Sequence, residues 1–560
     1  MKLHISFLFL LATTVLFAQP NNPAEPPHNW QLMDQQKDGF PGISLEKAYS
    51  ELLANKKPLK KIVVAVIDSG LDDKQPDLDG MVWTNKKEIP GNNIDDDKNG
   101  YVDDLHGWNF IGNLNEETYE EIREYVRLKD KFENKTDSVA LKTDPQYGYW
   151  KQIVAQKDER MNTLEWIKTF INGLENQINA ATILQGYWSK RLAKDSVYVM
   201  DIKDHQPDTT ADSLVINSQT VFNQFISGQS PAYMDSVTLI VLTKDRKKIK
   251  QILTERYKNS LLVAKTIIEK NDAAYYRKKE LGDDPYTKTT PNYGNSNIFP
   301  EHYHGTGCAG VVAALRDNKI GGNGITNSVE IMAVRIIPLY FVDEQDKDVA
   351  NAIRYAVDNG AQIINMSFGK FISPLKSWVD EAVKYAEKKG VLLIASAGNE
   401  ATNTDSLAYF PSTFYTDKTL VSNLIKVGAS TFDSTLVANL SNYGSKTVHV
   451  FAPGESIYTT QINNEYGEAS GTSFASPMVA GLAALIWSYY PTFTYKQIRY
   501  CIEKSAAPIE TMVTKPGTNE KVLFSSLCTT GGIVNAYQAL IIAEQINKPS
   551  WRRKHKNEIL

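Results

Sequence analysis

Ile62-Val63-Val64-Ala65-Val66-Ile67-Asp68-Ser69-Gly70 decides the fold. Six apolar residues in a row, most of them β-branched, leave no polar face, so the strand they form is covered on both sides. Lysines precede the run and Asp68 closes it. An acid closing such a strand stands at the carboxyl edge of the sheet, where open α/β folds collect their sites. Runs of the same kind follow at Val329–Ile337, Gln362–Met366, Val391–Ala395, Leu424–Gly428 and Val448–Phe451. Helical patterns alternate with them over Asp348–Asn359, Ser373–Lys389 and Ser473–Tyr489. The alternation predicts an α/β fold, a mostly parallel sheet with helices on both faces. Ser473–Tyr489 is apolar nearly all round, which predicts a central helix.

Residues 114–285 differ in character. They are rich in Lys, Glu, Tyr, Gln and Asn and poor in Gly and Pro. Leu164–Ile178 and Ile249–Ile268 carry apolar residues at three- and four-residue steps, which predicts a helical insertion of two or more long helices. Both its ends lie near site motifs in sequence, so it is expected either to border a substrate cleft and limit access for folded proteins, or to be a remote decoration or dimer contact. The expected plan is a signal peptide at 1–18, an extended segment at 19–45, the α/β domain at 46–113 and 286–545, the insertion at 114–285, and a basic tail at 546–560.

Apolar residues make up 42% of the chain and charged residues 22%, which describes a soluble globular protein. A net charge of −4 is small for 560 residues and argues against nucleic acid as a partner. Lys2, the apolar stretch Ile5–Leu11 resumed at Val15–Phe17, and Ala18 before Gln19-Pro20 form an export-signal pattern. No later stretch approaches about 18 uninterrupted apolar residues, so no stable membrane insertion is expected after signal removal. Export to a periplasmic or extracellular space permits disulfides, and Cys501 and Cys528 are the expected pair.

Two further stretches join Asp68. His304-Gly305-Thr306-Gly307-Cys308-Ala309-Gly310 puts a histidine at the entry to a small-residue helix, and Gly471-Thr472-Ser473-Phe474-Ala475-Ser476-Pro477 puts a serine at the entry to the central one. A serine hydroxyl needs a neighbouring base to become a nucleophile, and an imidazole steadied by a carboxylate supplies one. The order Asp, His, Ser is one of the known chain orders of that arrangement. Asn399, after Ser396-Ala397-Gly398 at the end of an apolar strand, can donate its amide to an oxyanion. Asp72 and His302 are read as structural neighbours.

Together these motifs resemble the subtilisin-like serine peptidases, the subtilases. The resemblance covers roughly residues 46–113 and 286–545. It implies that Asp68, His304 and Ser473 are the catalytic triad and Asn399 the oxyanion donor. The implied activity is that of a secreted serine endopeptidase acting on proteins or peptides through an acyl-enzyme, with no cofactor for catalysis. Asn365-Met366-Ser367-Phe368-Gly369 looks like the segment whose backbone pairs with substrate, so Ser367, Phe368 and Gly369 are expected to bind it. Asn442-Tyr443-Gly444 and Ala452-Pro453-Gly454 look like further family landmarks. By the same analogy Tyr409-Phe410-Pro411 lies near the primary specificity pocket, and Tyr409 would make that pocket shallow. Lys370 departs from the family pattern, standing where many members have a second glycine. The spacing is stretched as well, with 236 residues between acid and base.

Asp95, Asp97, Asn99 and Asp103 present oxygen ligands at alternate positions around Gly100, resembling the first half of a calcium loop. His106 stands where such a loop ends in a bidentate Glu. A structural calcium site and a solvated acidic turn are both compatible with this stretch.

Overall fold

The computed structural model describes residues 26–133, 143–208, 210–226, 238–257, 259–288, 292–338 and 342–549. The signal-like segment 1–18 and the tail beyond 549 lie outside the described residues. The described residues of Pro23–Glu120 and Ala274–Leu560 make one compact unit, and those of Glu121–Ala273 another.

The first unit is built on a seven-stranded sheet. Its strands are β1 (Ile62–Asp68), β2 (Gly107–Asn109), β3 (Val329–Arg335), β4 (Ile363–Met366), β5 (Leu392–Ser396), β6 (Leu424–Ser430) and β7 (Val450–Pro453). They lie in the order β2-β3-β1-β4-β5-β6-β7, and every pairing is parallel. Each of the six apolar runs supplies one strand, while the three-residue β2 is too short to show a period. The strand of Val329–Ile337 ends at Arg335, and that of Val448–Phe451 starts at Val450 and runs on to Pro453.

Strand alternation sorts the β1 side chains into two cores. Ile62, Val64 and Val66 join one cluster with Met478, Val479 and Leu482, whereas Ala65 and Ile67 join another with Ile353, Ala356 and Val383. Four helices flank the sheet near the site motifs: α1 (His304–Ala313), α2 (Asp346–Asp358), α3 (Lys376–Lys388) and α4 (Thr472–Tyr489). In α4 every residue from Phe474 to Ser488 is buried, as expected of a helix with no polar face. Trp30, Leu32 and Ile43 of the N-terminal segment are buried in the same core, and the Trp30 indole N–H lies 3.2 Å from the carbonyls of Glu455 and Ser456. That segment forms short helical turns at Trp30–Leu32 and Gln35–Asp38 where extended chain was expected.

The expected Cys501–Cys528 disulfide does not form. Cys308, Cys501 and Cys528 are all free and buried. Cys501 packs in the core with α4, and Cys528 in a separate cluster with Phe451 and Phe524. A separation of 27 residues does not bring two side chains together when each is held in a different cluster.

The second unit is helical. Its longest element, Tyr147–Leu192, runs for 46 residues and packs against Ser213–Ile226 and Leu239–Tyr257. Leu184, Trp188, Ile202, Phe222 and Leu239 lie in its core. The periodic stretch Ile249–Ile268 spans two helices, Leu239–Tyr257 and Ser260–Lys270. Among the described residues no helix is long and apolar enough to cross a membrane.

Candidate active site

Asp68 is the last residue of β1 and is fully buried. Its Oδ1 lies 2.8 Å from His304 Nδ1 and accepts the Ser69 N–H at 2.7 Å. Burial pushes this carboxyl up, but the charge and hydrogen bond of His304, with the Ser69 N–H, draw it below the usual carboxylate range. An ionised carboxylate only accepts, so Nδ1 of His304 donates the proton of this bond, and a neutral ring then has its lone pair on Nε2. Two glycines allow this approach. Gly70 has φ +113, and a Cβ on Gly305 would stand 2.1 Å from the Gly70 carbonyl oxygen. The Gly305 N–H donates to Ser69 Oγ at 3.1 Å, and the Asp72 N–H to Thr306 Oγ1 at 3.0 Å, so the two motifs are bonded on both sides of the pair. Asp72 accepts the N–H groups of Lys74 and Asn463 and serves the loop. His302 Nδ1 accepts the His304 N–H at 3.4 Å.

Ser473 lies in the first turn of α4, where backbone N–H groups lack intrahelical partners and the helix dipole favours negative charge. Its Oγ donates to the Ser367 carbonyl at 3.1 Å, and Ser367 Oγ donates to the Ser473 carbonyl at 2.7 Å. The next side chain, Phe474, stands edge-on to the His304 ring with centroids 5.5 Å apart. Asn365, quoted in the sequence only as part of the segment expected to pair with substrate, donates its amide to Ser367 Oγ at 2.9 Å and accepts Ser476 Oγ at 2.7 Å, tying the end of β4 to the start of α4. Cys308, one helical turn after His304 in the same motif, is buried, and its thiol donates to the Ser473 carbonyl at 3.3 Å, a contact the motif does not announce. Burial, then the Asp68 charge, push this thiol well above its ordinary range, so it stays neutral and offers no nucleophile.

Asn399 follows β5. Its Oδ1 accepts both the Thr472 N–H at 2.8 Å and the Thr472 hydroxyl at 2.9 Å. That hydroxyl in turn accepts the Gly398 N–H at 3.1 Å. A backbone N–H can only donate, so these bonds identify the amide oxygen and leave Nδ2 as the donor. Gly471 makes room, since a Cβ there would stand 3.3 Å from Asn399 Nδ2.

Ser367, Phe368 and Gly369 extend β4 past its last residue. The N–H and C=O of the following residue, Lys370, pair with Phe410 as an isolated antiparallel bridge. Phe368 is buried in the second core, so only its backbone is available. The Lys370 ammonium is also buried. It lies 2.6 Å from Glu120 Oε2 and from the Glu344 carbonyl, and 3.0 Å from Asp346 Oδ1 at the start of α2.

In the acidic loop the structure gathers Asp95 and Asp97 with Glu88, one carboxylate oxygen of each lying within 4.8 Å of the others. Glu88 comes before the motif, and no periodic signal marks it. Asn99 Oδ1 accepts the Tyr101 N–H, and Asp103 accepts those of Gly91 and Asn93, so these two residues brace the turn.

Comparison with known proteins gives a match to the subtilase family, peptidase S8, over residues 59–525. The chain belongs to the subtilase family. Its relatives include thermitase of Thermoactinomyces vulgaris, to which this subtilase is 34% identical over 256 residues, 45% of this chain and 77% of that protein. The thermophilic serine proteinase of Bacillus sp. (strain AK1) is 39% identical over 207 residues, 37% of this chain and 47% of the other. Subtilisin E of Bacillus subtilis (strain 168) is 38% identical over 210 residues, 36% of this chain and 50% of the other. The chain thus spans about half the length of the last two.

Proposed function

We propose that this subtilase is an exported serine endopeptidase that hydrolyses peptide bonds through an acyl-enzyme on Ser473. One observation carries the reading. A buried, ionised Asp68 holds His304 through Nδ1, and Ser473 opens the central helix, whose next residue Phe474 meets that imidazole edge-on. In the reaction Ser473 Oγ leaves the Ser367 carbonyl and gives its proton to His304 Nε2 as it attacks the scissile carbonyl. The negative oxygen that forms accepts the Asn399 Nδ2 amide and the first-turn N–H of Ser473. The imidazolium, steadied by Asp68, returns the proton to the departing amine, and water releases the acyl group by the same steps in reverse. Substrate adds as a strand along Ser367–Gly369. Export rests on the leader pattern of 1–18, and the substrates are proteins or peptides.

The loop of Glu88, Asp95 and Asp97 suits a hard cation such as calcium. Its carboxylates are already aimed by backbone N–H groups, with Glu88 Oε1 accepting from Asp96 and Asp97, and Asp95 from Asn99 and Gly100. Glu88 Oε1 is filled by its two N–H groups, whereas Glu88 Oε2 accepts only the Asp103 N–H and each Asp95 oxygen one N–H, so these keep a lone pair for the ion, whose contribution there is structural.

Labelling with a fluorophosphonate tests the activity. Wild type should label on Ser473 and cleave peptides, while Ser473→Ala should fold, resist labelling and lose nearly all cleavage. Turnover by Ser473→Ala within about tenfold of wild type would remove the serine from its role.

A further inference from the structure

We propose that Tyr409 fills the slot for the residue just before the scissile bond and restricts this peptidase to glycine or alanine there. The inference rests on the activity proposed above and names its substrate class. Two backbone stretches carry the groups that act on the scissile carbonyl. One is Ser367–Gly369, whose first carbonyl receives the Ser473 hydroxyl, and the other is Ala397–Asn399, which ends in the amide donor. We take the side chain of a substrate residue whose carbonyl lies between Ser473 and Asn399 to enter the space between these stretches.

That space holds the Tyr409 ring. A Cβ on Gly369 would stand 2.4 Å from Tyr409 Cε1 and 2.9 Å from Cζ, and a Cβ on Gly398 would stand 2.7 Å from Cζ. The same ring therefore touches both walls at positions that carry no side chain of their own. It is anchored as well as wedged. The hydroxyl donates to the Gly369 carbonyl at 2.9 Å, and the backbone carbonyl accepts the buried Lys426 ammonium at 2.9 Å. That ammonium also lies 4.6 Å from the ring centroid, and Phe371 meets the ring edge-on at 5.0 Å. Tyr409 is 7% exposed. A side chain larger than a methyl group would have to displace a ring held at both ends, and closely packed groups do not yield by the width of a ring. The hydroxyl also occupies the Gly369 carbonyl, an acceptor on the edge where substrate adds. An incoming peptide then relies on the other lone pair of that oxygen and on the Gly369 N–H.

The test compares kcat/KM on peptides that differ only in the residue before the cleaved bond (Gly, Ala, Leu or Phe), with cleavage sites read by mass spectrometry. Wild type should prefer Gly or Ala to Phe by about 100-fold or more, and Tyr409→Ala should lower that ratio by about 30-fold. Wild type cleaving after Leu or Phe within about tenfold of Ala would overturn the inference. An unchanged ratio in a folded Tyr409→Ala variant would do the same. Should Tyr409→Ala not fold, Tyr409→Phe keeps the ring without the hydroxyl and should retain the preference for small residues; its loss would refute the filling role. Fluorophosphonate labelling separates the two readings. A labelled enzyme that prefers large residues refutes only the specificity, whereas no labelling and no cleavage of any peptide refutes both.

Discussion

Replacing Thr472 by valine removes one hydroxyl at nearly constant volume, and the hydrogen bonds around it set the size of the effect. Thr472 Oγ1 accepts the Gly398 N–H at 3.1 Å and donates to Asn399 Oδ1 at 2.9 Å, while the Thr472 N–H holds the same oxygen at 2.8 Å. The valine variant thus keeps one of the two anchors of the Asn399 amide. Losing Asn399 Nδ2 altogether, as in Asn399→Ala, should lower kcat by about 10²–10³, the range known for one such donor in a subtilisin. Losing one neutral hydrogen bond that aims the donor is worth about 1 kcal/mol, or roughly fivefold in kcat. KM should hardly move, because the bond to the oxyanion matures in the transition state. A stability loss of about 1–3 kcal/mol should accompany it, since the buried Gly398 N–H loses its acceptor. Steady-state kinetics well below the melting temperature, on both single variants and the double variant, checks the logic. If Thr472 acts through Asn399, valine should have no further effect on kcat in the Asn399→Ala background. Thr472→Ser should restore the rate. A full fivefold loss in the double variant, or a change in KM with kcat constant, would refute a positioning role.

Lys370→Met removes the buried cation shared by Glu120 and Asp346 and should cost about 3–5 kcal/mol, read as a melting temperature lowered by roughly 5 °C. A loss under about 1 kcal/mol would place the pair with ordinary surface ion pairs. Burial lowers the Lys426 ammonium from 10.5 to about 7, against the pull of Glu400 and Glu344. The folded value lies below the unfolded one, so the wild type should gain stability on Lys426→Met as pH rises from about 7 to about 10 and show a flat difference below 7. A difference that is constant across that window in denaturant melts would contradict it. If Glu88, Asp95 and Asp97 hold calcium, excess chelator should lower the melting temperature by an amount that grows with the logarithm of the free calcium removed, and an unchanged melt would leave the acidic turn as a self-bonded loop.

The sequence by itself determined what depends on neighbouring residues. Ile62–Ile67 reads as a doubly covered strand because no polar side chain interrupts it, and Ser473–Tyr489 as a central helix because no face of it is polar. The residues at the four motifs were legible for a similar reason. A glycine beside a histidine, serine or asparagine leaves a local trace wherever two backbones must meet, as at Gly305 against Gly70. Tertiary structure alone decided which distant side chains share a space. Glu88 joins Asp95 and Asp97 through the return of a loop, and Lys370 finds Glu120 across 250 residues. Cys501 and Cys528 are kept apart in separate clusters, and the Tyr409 ring comes to rest between Gly369 and Gly398. Periodicity records which way a side chain faces along its own element, whereas partner and distance are set by how whole elements pack. That packing depends on every surface at once and leaves no mark in any single stretch of the chain.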